Sequence, residues 1–445
     1  MSDRKEILDY CESDARETAA LLQKMVSTLD FPRCLLRGRY TAACGRMEWN
    51  GIPLDTAWWE RFDIVRLPLL RRLVAELDRD GIYDDLTFKT RRFGRVLAHY
   101  HIPWGRTEQG ELILEGEYFR DQALLYPRLQ PLHQLRETMK KLREPKLAIG
   151  PDARNRTLLG PWGTITSRNA PSTNKSIFGP DRWTRFTILP PAGSSLVYMD
   201  WSAQEIGIAA FLSKDERLIA TYLAADPYLY FAELAGLIPP GTLRGAEWVE
   251  VIRDRVKWLF LGVNYGMSVP GLARRLGVSP ADAYELLSKH HSLYPTYWRW
   301  IERMLDNTDM RSRDWTMFGW TIRVVDNVRE PKKSTKVRTL MNWPAQSHGA
   351  EMMRLAAIEL TENSINVDFP IHDAFLLEGS DRDIGDIAHY AQEVIGRAGR
   401  EMFGETFKAK IHLFPERRFE DDRPGSKEMW ERVNRLRRQD RGASA

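Results

Sequence analysis

Two β-prone runs, each containing a single aspartate at a strand end or turn, constrain the fold of this chain most strongly. The first, SLVYMDWS at 195–202, passes directly into AQEIGIAAFLS, whose apolar residues follow helical periodicity. The second, VDFPIHDAFLLE at 367–378, has the pattern of two strands with Asp373 at the turn between them, and WTMFGWTIRVV at 315–325 has that of another strand pair. Helical patterns occupy much of the remaining chain. The sequence therefore predicts an α+β fold.

Length and composition set the broad class of the protein. At 445 residues the chain is longer than one hydrophobic core usually serves, so about two to four subdomains are expected. No apolar run approaches the roughly 20 residues that span a bilayer, and the N-terminal residues MSDRKEILDYCESD are too polar for a signal peptide. Cys11, Cys34 and Cys44 lack metal-ligand spacing and indicate no disulfide framework. These features predict a cytoplasmic protein that has no membrane partner.

Asp200 and Asp373 lie far apart in the sequence but in similar strand-and-turn settings. If folding brings them together, their carboxylates could hold two Mg²⁺ ions, which prefer oxygen ligands and stabilise the attacking and leaving oxygens of phosphoryl transfer. The alternative is that each aspartate only caps a turn. The pair alone does not decide between these interpretations.

A third segment, RDRVKWLFLGVNYGMS, places Arg253, Lys257, Leu261 and Tyr265 at intervals of four residues. On a helix these side chains drift slowly around one face, with the aromatic residue at the end. The two cations could bind a triphosphate, with the helix dipole adding to the attraction, and the tyrosine would lie beside a base. The alternative is a surface helix with a core tyrosine.

Five segments occur in the order in which family A (DNA polymerase I-like) DNA polymerases carry their motifs. The resemblance covers about residues 150–415, with weaker similarity back to Gly45. It implies a DNA-directed DNA polymerase whose partners are primer-template DNA and deoxynucleoside triphosphates. The segments are TITSR at 164–168 with Asn174 downstream, DWSAQE at 200–205 (resembling motif A), RDRVKWLFLGVNYG at 253–266 (motif B), RTLMNWPAQ at 338–346, and HD at 372–373 (motif C).

The resemblance implies a role for each matching residue. Asp200 and Asp373, with the backbone carbonyl of Trp201, would be the ligands of two Mg²⁺ ions, for which Mn²⁺ could substitute. Lys257 would be catalytic by protonating the departing pyrophosphate. The residues implied to bind the incoming nucleotide are Arg253, Lys257, Tyr265, Glu205, Tyr228 and Leu261. The residues implied to bind DNA are Arg168, Asn174, Arg338, Asn342, Gln346 and His372, together with Lys140 and Lys141 in a basic cluster that would contact duplex phosphates.

Glu205 is expected to exclude ribonucleotides by blocking the 2′-hydroxyl, with Tyr265 as the hydrogen-bond partner that fixes its carboxylate. The chain also departs from the family pattern. Gly207 stands where the family usually has arginine, Leu261 replaces a customary aromatic residue, and Ala374 replaces the glutamate that commonly follows the motif C aspartate. Both metal-binding aspartates are retained, so activity is expected.

The N-terminal region, 6–27, has the periodicity of an amphipathic helix. Tyr10 and Asp14 on this helix resemble the last motif of a DnaQ-like 3′-5′ exonuclease, and the alternative is an ordinary helix. No Asp-x-Glu occurs anywhere in the chain, although such a nuclease needs one. We therefore expect a remnant of an exonuclease-like domain, with proofreading absent or supplied by a separate polypeptide. No room is expected for a 5′ nuclease.

The resemblance predicts the right-hand polymerase fold with palm, fingers and thumb, in a chain that acts as a monomer. The basic C-terminal tail is predicted to be a solvated helix. The expected boundaries are 1–28 for the exonuclease-like remnant, 29–150 for the thumb, 151–215 for the first part of the palm, 216–335 for the fingers, 336–425 for the second part of the palm and 426–445 for the tail.

Two other functions remain open at this point. A single-subunit RNA polymerase carries similar motifs B and C, but Glu205 argues against it because a bulky residue there blocks the ribose hydroxyl. A catalytically weak or silent primer-template binding module is suggested by Leu261 and Ala374. Retention of both aspartates and of the Arg253 and Lys257 pair argues against that second alternative.

Overall fold

The computed structural model describes residues 2–107, 109–142, 147–172, 175–179, 182–325, 335–414, 417–421 and 425–442. Asn174 lies outside these residues, and so does the side chain of Lys141. The helices are α1 (Ser2–Met25), α2 (Phe31–Asn50), α3 (Thr56–Leu77), α4 (Thr90–His99), α5 (Gly116–Leu125), α6 (Gln130–Leu142), α7 (Gln204–Ser213), α8 (Glu216–Leu223), α9 (Pro227–Leu234), α10 (Glu247–Asn264), α11 (Val269–Leu276), α12 (Pro280–Leu293), α13 (Pro295–Arg311), α14 (Val337–Glu362), α15 (Ile384–Phe403) and α16 (Ser426–Gly442). The strands are β1 (Ile52–Pro53), β2 (Tyr83–Asp84), β3 (Thr87–Phe88), β4 (Arg154–Asn155), β5 (Ser194–Trp201), β6 (Arg313–Trp315), β7 (Thr321–Arg323), β8 (Asn366–Ile371), β9 (Ala374–Ser380) and β10 (Ala409–Leu413).

A four-stranded antiparallel sheet with the order β10-β5-β9-β8 brings the two aspartates together. On β5, Asp200 lies directly opposite Ala374 of β9 and Lys410 of β10. The backbone N–H of Trp201 donates a hydrogen bond to the carbonyl oxygen of Asp373 at 3.1 Å. The predicted strands and the turn between β8 and β9 are confirmed, as is the smaller β6–β7 pair. Asp200 and Asp373 therefore lie at the same end of adjacent strands.

The two faces of β5 differ because side chains alternate along a strand. Val197, Met199 and Trp201 are buried on one face. The indole N–H of Trp201 donates to the carbonyl oxygen of Ile395 on α15 at 3.1 Å, so this face packs on α15. Asp200 points to the opposite face, which is open to a cleft.

Helix α1 has no buried side chain among residues 4–25. Its presence confirms the helix predicted for this region, while its origin as an exonuclease remnant stays a prediction. Among the helices of the described residues, none is both long enough and apolar enough to cross a membrane.

Helix α16 differs from the solvated tail that its basic sequence suggested. Met429, Val433 and Leu436 are buried, and the Trp58 indole of α3 donates to Asn434 at 3.0 Å. The apolar residues recur at helical spacing between the charges, and they form the face that packs on α3. The basic residues lie around this apolar stripe. The overall charge of the segment therefore did not reveal that one face of the helix is buried.

Gly207 on α7 is buried between two aromatic rings. A Cβ added there would lie 2.7 Å from Cε1 of Phe407 and 2.8 Å from Cε2 of Tyr222. Both rings are themselves buried in the close-packed core, so moving either one would cost packing energy. The arginine that the family usually carries here has no space in this chain.

Replacing Gly207 with alanine is expected to lower the free energy of unfolding by about 1–3 kcal/mol, because the added methyl group overpacks the core. Gly38→Ala on α2 is the matched control, since no atom lies within 4 Å of its added Cβ. That change should be neutral or stabilise the protein by up to about 1 kcal/mol through helix propensity. Thermal unfolding midpoints test the pair, and equal midpoints for both variants would contradict the packing argument.

Candidate active site

A cleft of about 1050 Å³ opens above the end of β5, where this strand meets α7, α9, α10 and β10. It is lined by residues that are remote in sequence, and most of the residues predicted for catalysis and nucleotide binding are among them. Those residues are Asp200, Trp201, Glu205, Tyr228, Arg253, Lys257, Leu261 and Asp373. The fold thus assembles one site from the three segments that the sequence singled out.

The two aspartates repel each other across the β5–β9 pair. Burial raises the pKa of the Asp373 carboxyl, and the nearby Asp200 charge raises it further, while Arg168 opposes the shift. Asp200 Oδ1 is buried and has no hydrogen-bond partner among the described residues, with His412 Nε2 at 3.7 Å. A bound cation would relieve the repulsion and supply the missing partner, so this donor set fits a divalent metal.

Two carboxylates, those of Asp200 and Asp373, meet at the candidate metal site. Ala374 is fully buried directly opposite Asp200, at the place where the family commonly has a glutamate. In the described part of the chain no group of three or more His, Cys, Asp or Glu side chains is arranged to hold a metal. Further ligands would have to come from backbone, substrate and water, as Mg²⁺ commonly accepts. The Trp201 side chain is buried, so only its backbone is offered to the cleft.

Arg253 and Lys257 differ in how the protein holds them. Arg253 Nε donates to Asp226 Oδ2 at 2.6 Å, and its guanidinium lies 5.0 Å from the centre of the Tyr228 ring. Burial raises the pKa of the Tyr228 hydroxyl to about 12, so it remains a hydrogen-bond donor at neutral pH. Lys257 is exposed to the cleft and forms no ion pair with any residue that the structure describes. Its ammonium group is available to a ligand.

The expected contribution of the α10 dipole is not supported. The helix begins at Glu247, and its first turn carries Glu247 and Glu250. Arg253 lies in the second turn and Lys257 one turn further, whereas the dipole acts mainly within the first turn. Attraction of an anion to this helix would therefore come from the two side-chain charges.

The predicted hydrogen bond between Tyr265 and Glu205 is not formed among the described residues. Burial raises the pKa of the Glu205 carboxyl, while the Arg168 charge and a hydrogen bond from Asn264 act in the opposite direction. Tyr265, the predicted partner, lies beyond the last residue of α10, and its hydroxyl instead accepts a hydrogen bond from Gln346 Nε2 at 2.6 Å. The prediction that Tyr265 fixes Glu205 is wrong for this structure.

The residues predicted to bind DNA lie around the cleft and not in it. Arg168, Gln346 and His372 line a second cavity of about 610 Å³. Arg338 lines a third, of about 760 Å³, together with Tyr265 and Leu261. The Gln346–Tyr265 hydrogen bond connects these two groups.

Two further predicted DNA contacts lie apart from these cavities. Asn342 is buried on α14 with its Oδ1 unpartnered among the described residues. Lys140 is exposed on α6. Neither residue lines any of the three cavities.

Sequence reasoning missed several residues that line the cleft. Lys408 Nζ donates to the carbonyl oxygens of Leu223 and Ala224, both at 2.7 Å, and so caps the end of α8. Lys410 is exposed and lies opposite Asp200. The alternating KAKIHL pattern was a local signal for a strand, but its pairing with β5 depends on contacts remote in sequence.

The comparisons with known proteins agree with this geometry. The family model described as DNA polymerase family A matches residues 173–411, more than half of the chain. The thermostable DNA polymerase I of Thermus caldophilus is 26% identical over 375 residues, covering 79% of this chain and 44% of the relative. DNA polymerase I of Caldicellulosiruptor bescii is 28% identical over 216 residues, covering 44% of this chain and 23% of the relative. The chain thus spans less than half the length of these curated relatives.

A solved structure supports the fold. It is described as the POL domain of Pol1 from M. smegmatis in complex with DNA primer-template and dNTP, and it matches with a TM-score of 0.64 and 18% identity, covering 85% of this chain and 69% of that chain. The fold is therefore the α+β right-hand polymerase arrangement. The chain belongs to DNA polymerase family A.

Proposed function

We propose that the chain is a template-directed DNA polymerase that adds deoxynucleoside triphosphates to a primer 3′ end. The observation that carries the proposal is the convergence of Asp200, Asp373, Arg253 and Lys257 in one cleft. Paired carboxylates facing two cations suit a reaction in which a triphosphate must be bound, neutralised and cleaved. Membership of DNA polymerase family A supports the same activity.

Asp200 and Asp373, with the Trp201 carbonyl, would hold two divalent metal ions. When bound, two Mg²⁺ ions, or Mn²⁺ in their place, would stabilise the attacking and leaving oxygens of the transfer. The unpartnered Asp200 oxygen and the repulsion between the two carboxylates support this assignment. Arg253 and Lys257 would bind the triphosphate from the α10 side, and Lys257 would give a proton to the departing pyrophosphate.

The second and third cavities would hold the nucleic acid. Arg168, Gln346 and His372 would contact the primer end and the minor groove, and Tyr265 would contact the templating position. In this assignment residues 151–215 and 336–425 form the palm, 216–335 the fingers and 29–150 the thumb, whose basic clusters would contact duplex phosphates independently of sequence. The complex of the M. smegmatis Pol1 domain with primer-template and dNTP supports binding of both ligands.

A primer-extension assay on the purified chain tests the proposal. Extension should follow the template, require Mg²⁺ or Mn²⁺, and use deoxynucleotides in preference to ribonucleotides. A mismatched primer end in the same assay should not be shortened, since we propose no proofreading activity. Binding of primer-template without extension under any metal condition would favour the silent binding module instead.

Lys257 and Arg253 are expected to act on different steps. Lys257→Ala should lower kcat by roughly 10²–10⁴-fold, because a general acid contributes that much to a proton transfer. Arg253→Ala should mainly raise the KM for the nucleotide, by roughly tenfold to a hundredfold, because it removes a charge-assisted contact. Steady-state kinetics with a saturating primer-template distinguish the two effects.

Arg255→Ala is the matched control for both variants. This arginine is exposed on the same helix but does not line the cleft. It should leave kcat and the nucleotide KM close to wild type. If Lys257→Ala and Arg253→Ala instead weakened primer-template binding with unchanged nucleotide kinetics, this face of α10 would belong to the DNA track.

A further inference from the structure

The turn that leads into Arg168 is held by hydrogen bonds from a buried arginine. Arg354 on α14 is only 2% exposed. Its Nη1 donates to the carbonyl oxygen of Ser167 at 2.9 Å, and its Nη2 donates to the Ser167 hydroxyl at 2.7 Å. One planar guanidinium therefore binds both the backbone and the side chain of the residue that precedes Arg168.

Glu351, one turn earlier on α14, holds this arginine in place. Glu351 is 3% exposed, and its Oε2 accepts a hydrogen bond from Arg354 Nε at 3.0 Å. Its Oε1 accepts a hydrogen bond from the hydroxyl of Thr316, in the turn between β6 and β7, at 3.0 Å. Each nitrogen of the guanidinium and each oxygen of the carboxylate thus has a partner. Arg354 cannot turn away from Ser167 without leaving a buried carboxylate unpaired, which is strongly unfavourable.

Two tryptophans hold the same turn from its other side. The indole N–H groups of Trp343 on α14 and Trp320 beside β7 both donate to the carbonyl oxygen of Ile165 at 3.0 Å. Between these contacts and those of Arg354, Ser167 has φ of +60°. A left-handed serine costs free energy and persists only where the surrounding structure holds it. The hydrogen bonds on both sides of Ser167 provide that support.

The side chain of Arg168 lacks a hydrogen-bond partner where it reaches the second cavity. Its backbone N–H donates to Thr164 Oγ1 at 2.9 Å, so its main chain is fixed within the turn. Its Nε is buried and has no hydrogen-bond partner among the described residues. Gln346 and His372 line the same cavity. Because an unsatisfied buried donor is unfavourable, an acceptor on a ligand in this cavity would complete the site.

We propose that Arg354, held by Glu351, is a positioning residue that fixes the Ser167 turn and so directs Arg168 at the minor groove of the primer end. The inference rests on the proposed polymerase function and deepens it. The minor groove presents acceptors at nearly the same place in every matched base pair. A donor in a fixed position therefore bonds a matched primer end and misses a mismatched one. Each guanidinium nitrogen of Arg354 already bonds the protein, so this residue acts through Arg168.

Arg354→Lys and Ser167→Ala test the proposal. Lysine keeps the charge beside Glu351 but cannot bond both Ser167 atoms with a planar group. The readout is kcat/KM for extension of a matched and of a mismatched primer end. Arg354→Lys should lower the matched value by roughly tenfold to a hundredfold, since Arg168 loses a charge-assisted contact, and should leave the mismatched value nearly unchanged. Ser167→Ala removes only the hydroxyl contact and should have a smaller effect in the same direction.

Arg154→Lys is the matched control. Arg154 also bonds a buried carboxylate and a backbone carbonyl, those of Glu378 at 2.6 Å and Gly51 at 3.0 Å, and it lines none of the three cavities. This variant should leave the mismatched-to-matched ratio unchanged even if it lowers the thermal midpoint, because lost stability lowers both extension rates together. The decisive measurement repeats Arg354→Lys in an Arg168→Ala background, where its effect on the ratio should disappear.

Three outcomes would overturn the proposal. The first is an unchanged ratio in Arg354→Lys and Ser167→Ala, in variants that still extend a matched primer; if Arg354→Lys does not fold, an unchanged ratio in Ser167→Ala decides alone. The second is a rise in the ratio that persists undiminished in the Arg168→Ala background. The third is a wild-type chain that extends no primer, which would refute the proposed function and this inference with it. The first two leave the polymerase function standing.

Discussion

Replacing either Asp200 or Asp373 with alanine is expected to reduce primer extension by at least about a thousandfold, because the metal ions supply several kcal/mol of transition-state stabilisation. The two side chains meet at adjacent strand ends, and each would be a ligand that the other cannot replace. The loss should not grow when both are replaced, since residues that act as a unit are not additive. Single-turnover extension with saturating nucleotide measures the effect.

Unfolding is not expected to explain that loss. Burial raises the pKa of the Asp373 carboxyl, and the Asp200 charge raises it further, so removing either carboxylate relieves an unfavourable interaction in the metal-free protein. Thermal midpoints and primer-template affinity should stay near wild type. Asp381→Ala is a suitable control, because Asp381 is exposed beyond the other end of β9 and bonds only Ser195 among the described side chains. Extension near the wild-type rate in either active-site variant would refute the metal assignment.

Local sequence signals predicted the strands that carry the aspartates. The β5 strand and the β8–β9 hairpin follow from β-prone runs bounded by turn residues, and the structure places them almost where the patterns do. The edge strand β10 was not predicted to lie beside Asp200. Its pairing with β5 joins residues about two hundred positions apart, and no periodicity within either segment encodes that partner.

The end of α10 shows a second limit of periodicity. Spacing of four residues predicted that Tyr265 shares a face with Arg253 and Lys257, but the helix ends at Asn264. Gly266 follows with φ of +57°, a left-handed conformation that commonly terminates helices. Tyr265 therefore lies just beyond the helix, and its hydroxyl accepts a hydrogen bond from Gln346. The glycine was visible in the sequence and was the available signal for the helix end.

The geometry around Glu205 defines what its removal should do. Ala203, with φ of +49°, turns the chain from β5 into α7 and so directs Glu205 into the cleft, one helical turn from the metal-binding strand. A pocket that merely fails to bond an added hydroxyl discriminates against it by only about 10²-fold, so steeper selection requires a fixed group that clashes. Exclusion should depend on the size and orientation of the side chain more than on its charge.

Glu205→Ala is therefore expected to raise the ratio of ribonucleotide to deoxynucleotide kcat/KM by roughly a hundredfold or more, while deoxynucleotide use falls much less. Glu205→Gln keeps the size of the side chain and should retain most of the exclusion. Glu216→Ala, an exposed acid in the first turn of α8 that does not line the cleft, should leave the ratio unchanged. Paired kinetics with matched deoxy- and ribonucleotides decide the matter. Glu205 is the only residue changed in this variant. An unchanged ratio in Glu205→Ala would therefore show that this residue takes no part in sugar recognition.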